Sequence, residues 1–433
     1  MKTRTAPLVV LVSVFLLIAG GVTLTQQNTL TPAEQLGKHL FFDNISQPAR
    51  SVSCAACHGP DAGWTGPVAG NNVQGGVYRG AVPTRFGNRK PPSSAYATFA
   101  PVFHYDDIAG EFVGGNFWDG RATGEHLGNP AADQALGPFL NPVEQNMPSP
   151  QSVCEHVASA RYAALFRQVW GPDALDCSPA GTAATYDRIG LSIAAYEGSR
   201  EVNAFSSRFD DYWRACLAAG NDPEACGLAE GDKAVLDPGG ILTPQEWLGL
   251  VEFGEYCSPC HDSTGGDLVR PPLFTDFQFD NIGVPRNPDN PFYKMDRVYL
   301  DDGAPINPDG VHWVDLGLGG FLRSRPEWAH LAPAHDGKHR TPTVRNVDKR
   351  PGPGFPKAYM HNGALKSLRE VVQFYNTRDI AAAAWPPPEV PDNVNRELFE
   401  GKPLGNLELD DEAVDAIVAF IKTLTDRTVV KKP

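Results

Sequence analysis

Two short motifs carry the most specific chemistry in this chain: Cys54-Ala55-Ala56-Cys57-His58 and Cys257-Ser258-Pro259-Cys260-His261. Cysteines at this spacing lie one helical turn apart, so both sulfurs reach the two vinyl groups of one porphyrin and the following histidine points at its iron. A redox or zinc cysteine pair beside an incidental histidine is the competing explanation. Two copies, each ending in histidine, favour covalent attachment of two c-type haems, with His58 and His261 as iron ligands. The sixth axial position then decides between chemistry and electron transfer. After His58 no histidine occurs before His104 and no methionine before Met147. The first iron therefore stands open for peroxide unless His104, His126 or Met147 swings in from a distance.

The elements that deliver the two motifs repeat one plan. Thr31-Pro32-Ala33-Glu34 is the signature of a capped helix with proline at its first position, continued by Leu36, Leu40 and Phe41 towards Cys54. Thr243-Pro244-Gln245-Glu246 repeats it, with Trp247, Leu250, Val251 and Phe253 leading to Cys257. Helical periodicity also runs over 151–170, 183–198, 366–376 and 410–424, while alternating strand patterns are few and short. The predicted class is all-α, with long loops over 59–117, 262–340 and the Pro-rich 385–391. Glycines and prolines between 230 and 242 place a domain boundary there, giving an N-terminal domain over 31–235 and a C-terminal one over 236–428.

A chain of 433 residues with 42% hydrophobic content can bury two ordinary domain cores. Its 43 glycines and 39 prolines commit much of the backbone to turns. A net charge of -14 excludes a nucleic-acid partner, which needs clustered Lys and Arg, and suits attraction of a basic protein. Residues 1–26, with Lys2 and Arg4 ahead of the apolar run Leu8–Val22, read as an export signal or an uncleaved N-terminal anchor, so the body is expected in the periplasm. Four cysteines lie outside the haem motifs. In an oxidising compartment sequence order favours Cys154 with Cys177 and Cys216 with Cys226 among three connectivities, buried free thiols being the alternative.

Several further blocks stand in a fixed order: Phe117-Trp118-Asp119-Gly120-Arg121-Ala122; Gln134-Ala135-Leu136-Gly137-Pro138 leading to Asn141-Pro142-Val143-Glu144; Arg340-Thr341-Pro342-Thr343-Val344-Arg345-Asn346; Tyr359-Met360-His361-Asn362-Gly363; and Leu368 to Tyr375. In these blocks the chain resembles the bacterial di-haem cytochrome c peroxidase and MauG superfamily, over nearly all of 31–425. The resemblance implies two cytochrome c-like domains, a peroxidatic N-terminal haem and an electron-transferring C-terminal one. It makes Glu144 the acid/base at the first haem. Splitting a peroxide O–O bond heterolytically requires a proton to move from one oxygen to the other, which a positioned carboxylate can do. Taken alone, Glu144 would pass for a solvated loop carboxylate. Gln134 would orient peroxide or water, and Pro138 would keep that side free of a ligand. Trp118 matches the family's inter-haem tryptophan, a relay role compatible with packing. Arg121 is expected to be structural or to pair a haem propionate.

The second haem separates the subfamilies. Typical di-haem peroxidases ligate it with methionine in the helix after the tyrosine block, whereas MauG-like members use tyrosine, and Tyr375 stands at that position here. Without the resemblance it would read as a buried helix tyrosine. An anionic oxygen ligand stabilises ferric and higher iron, making that haem a poor acceptor from an ordinary cytochrome c. The stretch from His58 to Arg89 also lacks the histidine with which many peroxidases close the first haem at rest. The family's inter-haem calcium uses an Asn and two backbone carbonyls near the tyrosine block. Lys90 stands at the Asn position, with Asn88 close by, and Ala358 replaces a proline, which puts calcium in doubt. The expected function is a periplasmic MauG-like oxidoreductase that takes hydrogen peroxide at the first haem and oxidises a substrate, plausibly a protein side chain. The alternatives are a cytochrome c peroxidase fed by a small cytochrome and a non-catalytic di-haem electron carrier.

Overall fold

A computed structural model describes residues 29–295, 303, 306–398 and 403–433. The expected signal over 1–26 lies outside the described residues. The first half contains α1 (Pro32–Phe42), α2 (Cys54–Cys57), α3 (Ala69–Val73), α4 (Pro130–Leu140), α5 (Pro150–Ser159), α6 (Ala163–Trp170) and α7 (Thr182–Glu197). There follow α8 (Arg208–Ala218), α9 (Pro223–Leu228), α10 (Lys233–Leu236), α11 (Pro244–Tyr256), α12 (Pro291–Lys294), α13 (Gly317–Leu322), α14 (Leu368–Thr377) and α15 (Asp411–Lys422). The chain is thus mostly helical, and the described strands form two small antiparallel pairs. One joins β1 (His104–Asp106) to β2 (Glu111–Val113), the other β3 (Phe279–Asp280) to β4 (His339–Arg340), with Phe279 opposite Arg340.

The two predicted capping boxes form. Thr31 N–H donates to Glu34 Oε2 at 2.6 Å while Glu34 N–H donates to Thr31 Oγ1 at 3.3 Å. Thr243 and Glu246 make the same exchange at 2.9 and 3.3 Å. These bonds satisfy donors that the first helical turn leaves free, and Pro32 and Pro244 have no N–H to orphan. Each helix then crosses a partner at its glycine. A methyl group on Gly37 would collide with the Ser192 carbonyl of α7, and one on Gly249 with the Ala416 carbonyl of α15. Both glycines stand six residues after the capping threonine, so the repeated plan extends from the cap to the helix crossing.

Two cores follow from these crossings. Leu36, Leu40 and Phe41 pack with Ile189, Ile193 and Tyr196 in the first, and Leu250 and Phe253 pack with Ile417 and Phe420 in the second. Each such side chain, withdrawn from water, contributes roughly 1.5–3 kcal/mol. Phe209 and Trp213, ahead of the expected boundary, pack into the second core with Leu236. Disulfides join Cys154 to Cys177 and Cys216 to Cys226, the pairing that sequence order favours. The periodic stretch 151–170 is two helices, broken between Ser159 and Ala163. No described helix is long and apolar enough to cross a membrane.

The halves are tied by buried polar groups. Asp426 accepts from Tyr96 Oη at 2.7 Å and from Asn346 Nδ2 at 2.8 Å. Arg345 pairs with Asp210 at 2.8 Å with both side chains fully buried, and its Nε donates to the Pro272 carbonyl at 2.6 Å. Such a pair specifies geometry because either charge alone would be stranded in a low dielectric.

Candidate active site

The first haem motif sits on the one-turn helix α2, and His58 follows it directly. His58 Nδ1 lies 3.3 Å from the Trp64 carbonyl, and burial lowers the imidazole to about 4. A neutral ring that donates from Nδ1 keeps the Nε2 electron pair for a metal. In the second half α11 delivers Cys257, and His261 Nδ1 lies 3.2 Å from the Phe274 carbonyl, again with burial lowering the ring. The backing of the two histidines is the same.

Each motif opens on a cavity. The first is lined by Cys54, Cys57 and His58 together with Gln134, Pro138 and Glu144. Gln134 and Pro138 are four residues apart on α4, hence on one face. Asn129 caps this helix, accepting from Ala131 N–H at 2.9 Å, and Pro130 opens it. Glu144 is fixed by a turn in which Asn141 Oδ1 accepts from Val143 N–H at 3.1 Å and the Asn141 carbonyl accepts from Glu144 N–H at 3.0 Å. Burial raises the Glu144 carboxyl above its ordinary value, opposed by the Arg121 charge and a hydrogen bond with Asn141. A raised carboxyl takes up a proton more readily than an ordinary one, which suits a group that must accept a proton and hand it on. His104 and His126 are outside this cavity: His104 faces its own Val102 carbonyl and His126 pairs with Asp187. Met147 is buried in the first core.

The second cavity contains Cys257, Cys260, His261 and Tyr375, with aliphatic Leu368, Val371 and Val372 from the same α14 face. Burial raises the Tyr375 phenol. Met360 lines this cavity as well, whereas Met295, though buried, does not.

Trp118 and Lys90 line both cavities. The Trp118 indole N–H donates to the Lys90 carbonyl at 2.7 Å, and its ring stands 6.4 Å from that of His361. Arg121 pairs with Asp119 at 2.7 Å and covers the Phe117 ring.

Four features were given no role in the sequence reading: Arg89, Asp315, the stacked pair His339 and His361, and Glu197. Arg89 bridges Asp119 at 2.6 Å and both oxygens of Asp315, at 2.6 and 2.7 Å, and so fixes the loop that carries Trp118. The Arg89 charge holds Asp315 well below the usual carboxylate range against the opposing cost of burial. His339 and His361 stack over Asp315, ring centroids 3.6 Å apart. Near-parallel rings cannot both aim an in-plane lone pair at one ion, and Arg89 is the cation that pairs with both Asp315 oxygens, while burial holds the His361 ring well below its ordinary value, towards the neutral form. The fourth is Glu197, at the end of α7 on the first cavity, whose carboxyl burial raises to about 8. Loop residues such as Arg89 and Asp315, 226 positions apart, carry no periodic signal, and Glu197 reads in the sequence as one more helix carboxylate.

Comparison with known proteins agrees with this geometry. The family model for di-haem cytochrome c peroxidase matches residues 31–216. The chain is 31% identical to the methylamine utilization protein MauG of Paracoccus denitrificans, over 90% of this chain and 88% of that one. It is 27% identical to the cytochrome-c peroxidase IdrP1 of Denitromonas iodatirespirans, covering 90% of this chain and 80% of the relative. Among solved structures, the diheme peroxidase BthA of Burkholderia thailandensis superposes with a TM-score of 0.68 at 29% identity, over 92% of this chain and 87% of that one. The chain belongs to the di-haem cytochrome c peroxidase family. It is a peroxide-dependent oxidoreductase with two c-type haems, and the paired cysteines, backed histidines and cavities fit that cofactor.

Proposed function

We propose that the chain is a MauG-like enzyme of the periplasm, with a peroxidatic haem domain over 31–235 and an electron-transferring one over 236–428, which takes oxidising equivalents from hydrogen peroxide and passes them to a protein side chain. The observation that carries this reading is Tyr375, which shares the second cavity with His261. When bound, the haems supply the redox chemistry and hold the two equivalents. Glu144 accepts a proton from one peroxide oxygen and returns it to the other, which departs as water. Gln134 orients the peroxide by its amide, and Pro138, whose ring carries no ligand atom, keeps the approach open. Trp118 relays electrons between the two cavities. Because its N–H stays on a backbone carbonyl, the indole can lose and regain an electron without a proton acceptor. The tyrosine oxygen of Tyr375 would stabilise ferric and higher iron at the second site, which suits that site to storing an oxidising equivalent taken from peroxide and makes it a poor acceptor from an ordinary small cytochrome. The net charge of -14 favours a basic protein partner.

A cytochrome c peroxidase is the second reading, supported by Met360 on the same cavity wall. Steady-state assays with peroxide and a reduced small cytochrome c separate them. The MauG-like reading expects turnover at least about 10²-fold below that of a dedicated peroxidase, set by the ligand's bias against ferrous iron. Rapid, saturable cytochrome oxidation would replace it with the second reading.

A further inference from the structure

The resemblance implies a calcium ion between the haems, and the residues at that place do not fit one. Calcium takes six to eight oxygen ligands drawn from carboxylates, carbonyls, side-chain amides and waters, and tolerates no cation among them. Here the side chain at position 90 is itself a cation. Lys90 Nζ donates to Thr65 Oγ1 at 2.8 Å and to the Pro91 carbonyl at 3.2 Å, with the residue 8% exposed. A second ammonium lies close enough to repel it. Lys357, 3% exposed, donates from Nζ to the Ala62 carbonyl at 2.7 Å and to the Lys349 carbonyl at 3.0 Å. These carbonyls and this hydroxyl are the kind of oxygen a metal would use, and ammonium protons already occupy them.

We propose that Lys90 and Lys357 are the built-in cations of the inter-haem region, supplying with side-chain charge what a bound divalent ion would supply, so that the haem pair works without calcium. Three observations converge. Neither lysine forms an ion pair with a described carboxylate, so both buried charges look for anions from outside the chain. Both line the haem cavities, Lys90 lining the two and Lys357 the second, and each haem brings two ionised propionates. Both also join the halves. Lys357 spans Ala62, beside the first haem motif, and Lys349, in the second half. Lys90 N–H donates to the His361 carbonyl at 2.7 Å while its own carbonyl receives the Trp118 indole. Burial lowers Lys90 to about 8 and Lys357 to about 7, which marks charges that the apoprotein does not compensate.

The test uses haem-loaded enzyme and does not depend on which substrate is oxidised. Metal analysis after purification in calcium-containing buffer is expected to find less than stoichiometric calcium, and chelation is expected to leave both haem midpoint potentials and the reaction with peroxide unchanged. Lys90→Met and Lys357→Met keep the length and remove the charge. Each is expected to shift both midpoint potentials negative, because a nearby cation favours the reduced haem, and Lys90→Arg is expected to restore them. Stoichiometric calcium whose removal changes the potentials would overturn the proposal. So would potentials unaltered in both methionine variants with full haem loading. Should one variant fail to fold, the other variant and the wild-type metal analysis still decide.

Discussion

The two haem sites share the parts that hold the histidine and differ most in the rest of their walls. Behind each motif stand the same parts: a threonine-capped helix with proline at its start, a glycine crossing six residues on, two cysteines one turn apart and a histidine held by a backbone carbonyl. Opposite the histidines nothing matches. The first cavity presents Gln134, Pro138 and Glu144 from a helix and a tight turn; the second presents Tyr375 beside leucine and valine of α14, with Met360 from a loop. The lesson is that haem attachment is a repeated scaffold property, while the division of labour lies in what each half sends to the opposite wall.

The largest expected effect removes one scaffold. Changing both Cys257→Ser and Cys260→Ser should leave the first haem covalently loaded and reduce the thioether-linked haem content from two per chain to about one, read by pyridine haemochrome against protein concentration. If both haems disappear together, the two sites do not load independently and the symmetry drawn here is wrong.

Glu144→Gln attacks the difference between the walls. It preserves shape and removes proton transfer, so the reaction with peroxide should slow by about 10²-fold, followed by stopped flow with haem loading intact. The wild-type rate should also depend on pH. Burial raises the Glu144 carboxyl, and the reaction starts from its carboxylate form, so the rate should fall as pH is lowered through that raised value. The Gln variant should lose this limb; a limb that survives the substitution belongs to another group.

The smallest effect concerns a group that only the first site has. Glu197 titrates at about 8 in the folded chain against an ordinary 4.5. Between those values the folded state holds a proton that the unfolded state has released, so stability falls as pH rises through the window. In Glu197→Gln the thermal midpoint of the holoenzyme should vary less between about pH 5 and pH 8 than in the wild type. An equally steep variant would place the titration elsewhere.

Local signals made much of this legible. The capping boxes, the two C-x-x-C-H motifs and the cysteine order are short-range patterns; the structure forms both boxes and both disulfides, and family membership bears out two c-type haems. Helix α4 was missed because Pro130, Gly137 and Pro138 argue for a loop, yet Pro130 takes the one helical position where a missing N–H costs nothing and Pro138 sits near the end. Helix α8 begins with a third capping box, Ser207 with Asp210, that its charged sequence concealed. The Arg89–Asp315 pair and the His339–His361 stack join loops that only the tertiary fold brings together. No spacing rule reaches across 226 positions. Lys90 was noticed as a departure from the family pattern, but its partner Lys357 was visible only once both ammoniums were seen on carbonyls from opposite halves.

The claim that Tyr375, not methionine, faces the second haem is tested most directly in the fully oxidised enzyme, by near-infrared spectroscopy followed by addition of peroxide. The account predicts no charge-transfer band of histidine–methionine ligation and a reaction with peroxide that needs no prior half-reduction. Replacement of Tyr375 by methionine should bring the band in and raise the second haem's potential. A histidine–methionine band in the wild type, abolished by Met360→Leu, together with a requirement for reduction before turnover, would contradict it.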